Sequence, residues 1–292
     1  MNRLLLLLLL LLTLVCLSAQ PEKVLASTLQ DNRIEYTDDD RKIFDRYVQA
    51  MEGKKYLPLG DLIIETARFF METPYVASTL EKEPEHLVIN LRELDCTTLV
   101  ENAIALARTL KGATPTFEVF CAQLKLLRYR ENAINNYADR LHYFTDWIFE
   151  NSRKNLVRDE TRAIGGQSYR LNLNFMSTHP DSYKQLKTNP ALIPVIAQKE
   201  KEISARNTYA YIPEAQIEDC RAGMKSGDIV CFVTQIEGLD VSHVGFIYWQ
   251  DQKLGFLHAS SSAKKVIIDP LSLQDYVKGI RTTTGIMIVR PV

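Results

Sequence analysis

The sequence lacks the features that mark several common functional classes. Thirty-five lysines and arginines meet thirty-six aspartates and glutamates in 292 residues, for a net charge of −1. There is no basic excess of the kind nucleic-acid binders carry, and no acidic tail. Cysteine is sparse, five in all, and no two are spaced C-x-x-C, which argues against a zinc knuckle or a thioredoxin motif. The five histidines, His86, His142, His179, His243 and His258, form no H-E-x-x-H or other close-spaced ligand pair, so neither metal nor another cofactor is expected. A G-x-S-x-G elbow and a phosphate loop are both missing. No internal repeat recurs and no linker divides the chain. Past the amino terminus, no segment is long and apolar enough to span a membrane. What remains is an ordinary globular composition with ample length to bury a core.

The amino terminus is the exception. Arg3 precedes an unbroken leucine run over residues 4–12, followed by Thr-Leu-Val-Cys-Leu-Ser-Ala-Gln. A positive start, an apolar centre and a small-residue exit form the pattern of a secretory signal peptide. Cleavage after Ala19 is expected, leaving residues 20–292 as one mature domain. The apolar stretch, about 16 residues, is short for a stable membrane helix. Cys16 offers a lipoprotein anchor as the other reading, but Val15 stands where a small residue is expected. Export permits disulfides. Cys121 and Cys231 lie in apolar runs and read as small buried hydrophobes. A Cys121–Cys220 bridge is left open.

Hydrophobic spacing predicts helices over about residues 37–51, 59–71, 96–110, 116–130 and 193–206. A short strand is expected at residues 87–89. After Ser226-Gly227-Asp228 the texture changes to strand-like runs at 229–234, 243–249, 254–259, 265–268 and 285–289, separated by Gly, Asp and Ser turns. Helices first and antiparallel strands later indicate an α+β fold. Residues 131–213 are mixed.

One stretch carries chemistry, Leu94-Asp95-Cys96-Thr97-Thr98-Leu99-Val100-Glu101. Cys96 falls in the first turn of an apolar helix, where unpaired N–H groups and the helix dipole favour a thiolate. Asp95 is suited to cap that helix, and the apolar face begins only at Leu99. The plain alternative is a buried structural thiol. His243 lies on a strand whose alternation puts Val241, His243 and Gly245 on one face, with the glycine leaving room beside the imidazole. A thiol nucleophile needs such an imidazole to take and return a proton. His258 is fifteen positions later, a distance that suits the neighbouring antiparallel strand, and it could orient His243 as the third member of a triad. Each histidine read alone would be a satisfied strand residue. A zinc site made of Cys96, His243 and His258 is chemically conceivable but lacks an acidic general base.

This arrangement resembles the NlpC-type cell-wall peptidases, which share a papain-like core. Their Asp-Cys-Ser-Gly motif is matched by Asp95-Cys96-Thr97-Thr98 and their His-Val-Gly-Ile strand by His243-Val244-Gly245-Phe246. The third polar position falls on His258, and their Thr-Pro-Tyr element on Thr73-Pro74-Tyr75. Thr-Thr replaces the usual Ser-Gly after the cysteine, and the glycines usual after the tyrosine are absent. Those departures, with Arg140-Leu141-His142-Tyr143-Phe144-Thr145-Asp146-Trp147, Asn174-Phe175-Met176-Ser177 and residues 257–260, are similar to a branch of exported bacterial N-acetylmuramoyl-L-alanine amidases formerly catalogued as a domain of unknown function. The resemblance runs from about residue 35 to the end.

It implies a papain-like core with a helical N-terminal half and a C-terminal antiparallel sheet or barrel, and a substrate-recognition insertion at 131–213. It also implies a monomeric, periplasmic cysteine amidase acting on peptidoglycan fragments, preferably small 1,6-anhydro-muropeptides, with Cys96, His243 and His258 catalytic. Tyr75 would assist at the site, and Arg140, His142, Tyr143, Asp146 and Trp147 would form a sugar-binding wall rather than a packed helix start. Ser242 is placed among the substrate-binding residues. Two rivals stay open: a γ-D-glutamyl-diaminopimelate endopeptidase, and a glycan-binding module without catalysis.

Overall fold

The computed structural model describes residues 34–292. The expected leader, its cleavage point and Cys16 lie outside the described residues. Among the described residues no helix is long and apolar enough to cross a membrane.

The chain opens with β1 (Ile34–Glu35) and α1 (Asp38–Ala50), the latter started by a reciprocal Thr37–Asp40 capping box with three aspartates in its first turn. α2 (Leu59–Phe69) follows, then β2 (Leu87–Val88), which pairs in parallel with β1. α3 (Cys96–Lys111) stops at Gly112, and α4 (Phe117–Arg128) is capped by Thr116. The mixed segment holds α5 (Phe144–Arg153), β3 (Val157–Asp159), β4 (Gln167–Ser168), α6 (Phe175–Thr178), α7 (Lys184–Thr188), α8 (Ile193–Ala205) and β5 (Ala210–Pro213). α9 (Ile217–Cys220) leads to β6 (Ile229–Thr234), β7 (Val241–Gln250), β8 (Lys253–Ser260), β9 (Lys265–Ile268), α10 (Leu273–Gly279) and β10 (Thr283–Pro291).

The later strands form an eight-stranded antiparallel sheet in the order β4-β5-β10-β6-β7-β8-β9, with β3 also on β10. Helices and antiparallel sheet together make the fold α+β. The mixed segment thus contributes β3, β4 and β5 to the main sheet, pairings no local pattern announces. Ile229, Cys231 and Val233 of β6 face α1 to α5; Val230 and Phe232, with Ile212 of β5, face a second layer made by α9 and α10.

α3 is buried all round. Every residue from Thr98 to Ala107 is inaccessible, and α2, α4, β7 and β8 pack against it. Burial makes its polar residues expensive unless paired. Glu101 accepts Arg128 Nε at 2.7 Å and Trp147 Nε1 at 3.2 Å, while Arg128 also donates to Val88 O at 2.8 Å. One carboxylate thereby ties α3 to α4, α5 and β2.

β7 departs from simple alternation. Phe232 pairs with His243, yet Val233 pairs with Val241, so Ser242 is skipped as a bulge. Val241 therefore packs on the helix side with Val233, not on the face of His243 as alternation predicted. The four cysteines among the described residues are free thiols, and no Cys121–Cys220 bridge forms.

Because Arg128 and Glu101 are both 2% exposed, Glu101→Ala leaves an uncompensated buried guanidinium. A loss of about 3–5 kcal/mol is expected in denaturant unfolding; a loss below about 1 kcal/mol would show the pair to be dispensable.

Candidate active site

Cys96 is the first helical residue of α3. Asp95, in extended backbone, accepts Thr98 N–H at 2.8 Å, and Thr98 Oγ1 accepts Asp95 N–H at 2.8 Å. This box uses the third amide of the helix and leaves those of Cys96 and Thr97 for other partners. The Val244 amide, next in chain to His243, is directed at the sulfur, as are the Thr97 hydroxyl and amide. The thiol is partly buried. Burial, and then the Asp95 charge, push it up to about 12, and the three donors offset only part of that rise. The helix end thus favours the thiolate, and desolvation opposes it.

His243 and His258 meet, with Nε2 of the first 2.6 Å from Nδ1 of the second. Burial lowers His243 to about 4 and His258 to about 3. The rings are packed by Phe232, Phe256 and Tyr276 at centroid distances of 4.6–6.4 Å. Gly245 explains how β8 comes so close. A Cβ there would lie 2.8 Å from Leu257 O and 3.0 Å from His258 Cβ. The room it leaves is taken by His258 itself.

Behind His258 stands a residue the sequence did not announce. Asp269 Oδ2 lies 3.2 Å from His258 Nε2. Its only signal was position, an aspartate before a proline at the end of β9, which reads as turn chemistry.

Tyr75 is held near Cys96 by its bridge to Leu94. Burial and the charges of Cys96 and Asp95 raise its hydroxyl to about 12, so it remains a donor. A cavity of about 470 Å³, lined by none of Cys96, Tyr75, His243 and His258, has Ser78, Glu81, His142, Tyr183, Lys184 and Val241 in its wall, among others. Val241 links it to the histidine strand. His142 bonds Tyr137 O at 2.8 Å and, lowered to about 3 by burial, stays neutral. Tyr143 contributes its ring, because its hydroxyl already donates to Glu200 at 2.6 Å.

The rest of the expected sugar wall is not a wall. Trp147 is 0% exposed, stacked on Phe144 and bound to Glu101. Asp146 is buried between Arg130 and Arg206. Arg140 is buried against Glu81 and Glu85. These side chains lie on the inner side of α5 or in ion pairs whose partners are far away in sequence, so their density in the chain does not mark a surface. Ser242 is exposed in the bulge, away from the cavity lining. Among the described residues no group of three or more His, Cys, Asp or Glu could hold a metal ion.

A model of the AmiA-like family, described as N-acetylmuramoyl-L-alanine amidase-like, matches residues 65–286. An N-acetylmuramoyl-L-alanine amidase structure from Bacteroides uniformis is similar at 36% identity, covering 80% of this chain and 99% of that one, with a TM-score of 0.76. A Bacteroides fragilis structure, named provisionally as a xylanase, is similar at 38% identity, 77% and 99% coverage and a TM-score of 0.74. A Legionella pneumophila protein at 22% identity, with 91% and 96% coverage and a TM-score of 0.63, shares the fold. No curated protein matches.

A thiol near 12 and an imidazole near 4 are both neutral across the range between those values. Lowering the pH protonates His243 first and removes its lone pair. The kcat/KM profile is expected to be flat through neutral pH and to fall on the acid side with an apparent pKa near 4. Ultraviolet thiolate absorbance that titrates near neutrality would contradict this neutral pair.

Proposed function

The chain belongs to the AmiA-like family of N-acetylmuramoyl-L-alanine amidase-like proteins, and from that membership and the site's geometry we propose that it is a cysteine amidase. Its reaction is hydrolysis of the bond between the muramic lactyl group and L-alanine. The observation that carries the reading is the His243–His258 pair on neighbouring strands, with the amide of Val244, the residue after His243, directed at the Cys96 sulfur. That set is the working part of an NlpC-type, papain-like site.

His243 takes the Cys96 proton as the sulfur attacks the lactyl carbonyl carbon. The oxyanion is held by the Cys96 amide and the Tyr75 hydroxyl. Collapse breaks the C–N bond, and His243 passes the proton to the departing alanine amine. Water then attacks the thioester and the C–S bond breaks, freeing the thiolate and the lactyl acid, which loses its proton to solvent; the other proton of the water is held by His243. The proton returns to sulfur.

The cavity supports a saccharide at the acyl side. It offers aromatic rings from Tyr143 and Tyr183 and hydroxyl or imidazole groups from Ser78, Tyr183 and His142, the mixture that stacks on a pyranose and bonds its hydroxyls. The preference for small 1,6-anhydro-muropeptides over an intact wall is carried by the family resemblance. Glycosidic cleavage would need two free carboxyl groups. In the cavity wall Glu81 accepts from Arg140 through Oε1 while its Oε2 has no partner, and Asp240 accepts from Thr145. The leucine-rich leader supports export to the periplasm, where such fragments arise, and segment 131–213 supplies most of the sugar cavity.

Digestion of a purified anhydro-muropeptide is expected to release free disaccharide and a stem peptide that begins with L-alanine. A disaccharide still carrying alanine and glutamate would instead identify the endopeptidase. Cys96→Ala should abolish turnover and His243→Ala should lower kcat about 10²–10⁴-fold; unchanged turnover in either would overturn the mechanism. Tyr183→Phe removes a hydroxyl from a residue of the cavity wall. Its KM is expected to rise about 2–10-fold at constant kcat, and a KM equal to wild type would remove that hydroxyl from sugar binding.

A further inference from the structure

We propose that Asp269 is a positioning residue that fixes the tautomers of both histidines, leaving the lone pair of His243 on Nδ1 and its proton on Nε2. The inference rests on the reading of His243 as the base for Cys96.

The argument is a count of protons along one line. His258 bonds at both ring nitrogens, Nδ1 to His243 Nε2 at 2.6 Å and Nε2 to Asp269 Oδ2 at 3.2 Å. A neutral imidazole carries one N–H, and a carboxylate only accepts. The His258 proton must therefore sit on Nε2, facing Asp269. Its Nδ1 is then an acceptor, and the bond to His243 needs the proton of His243 on Nε2. That leaves Nδ1 of His243 unprotonated, the one nitrogen available to a thiol.

The carboxylate is itself fixed. Its other oxygen accepts Leu271 N–H at 2.9 Å, and its backbone N–H donates to Phe256 O at 2.9 Å, on the strand that carries His258. His258 is 1% exposed and Asp269 7%. Tyr276 lies across the rings, 5.7 Å from His258 and 6.4 Å from His243. Little room is left for water to replace the carboxylate. During turnover no proton moves to Asp269. When His243 becomes an imidazolium, its Nε2–H still donates to His258, whose own proton stays on Nε2. The carboxylate thus acts as an orienter, as the acid of a serine-protease triad does.

Asp269→Asn tests this because an amide has one acceptor oxygen where the carboxylate has two. With that oxygen kept by Leu271, the NH₂ group faces His258 Nε2 and reverses both tautomers, putting a proton on the His243 nitrogen that should be the base. Expected are a fall in kcat of about 10²–10⁴-fold, as for loss of a general base, an unchanged KM, and a ¹⁵N-imidazole spectrum in which His243 switches from Nε2–H to Nδ1–H. Wild-type kcat together with an unswitched spectrum would overturn the inference. So would a wild-type spectrum with His243 protonated on Nδ1, a measurement that needs no variant to fold. If Cys96→Ala retained turnover, the cysteine reading would fall, while the tautomers seen in the wild-type spectrum would still test Asp269 separately.

Discussion

The burial of α3 is the constraint on which the rest of the molecule depends. A helix with protein on every side is fixed in translation and rotation by packing, and packing has little give. The first residue of α3 is Cys96, so the position of the sulfur is set by the whole core. The Glu101–Arg128 clasp adds direction to that packing, since hydrogen bonds to Trp147 and Val88 allow one arrangement of α3, α4, α5 and β2. Because the clasp is buried, its net contribution to stability is modest, and what it supplies is register.

The same burial determines the electrostatics. A cysteine at a helix end is favoured as a thiolate by the unpaired first-turn amides. Here the core that holds the sulfur also desolvates it, and Asp95, needed to start the helix, adds a like charge. The histidines are desolvated in the same way. The proposed chemistry begins with two neutral groups, and charge develops only as the substrate carbonyl is attacked. Donors fixed in advance, such as the first-turn amides and Tyr75, then stabilise charge where it forms.

Much of this was legible in the sequence because the signals are local. The Asp95–Thr98 box, the period of α1 to α4 and the short runs between Gly, Asp and Ser turns each follow from neighbouring residues. The pairing of His243 with His258 followed from strand spacing. What was not legible depends on partners distant in the chain. Arg130, Arg206 and Glu101 neutralise or bind side chains of the 140–147 block and turn an exposed-looking cluster inward. The bulge at Ser242 cannot be seen without its partner strand. Asp269 looks like a turn residue until β8 and β9 are laid side by side.

The misread block still shapes the site, at one remove. Arg140 donates to Glu81 at 2.9 Å, to Glu85 at 3.0 Å and to Leu80 O at 3.3 Å. Tyr129 fixes the same Glu85 from the other side at 2.7 Å. Together these bonds clamp the segment that leaves Tyr75 and carries Ser78 and Glu81 into the cavity wall. An arginine free to bind a sugar would have left that segment untethered, because loops without internal packing are held only by such bonds. Arg140 thus acts on the shape of the cavity, whose wall combines the charged Glu81, Lys184 and Asp240 with the rings and polar groups of His142, Tyr143 and Tyr183. In the proposed reading the rings and hydroxyls of that wall serve the saccharide, which is matched by hydrogen bonds and ring faces.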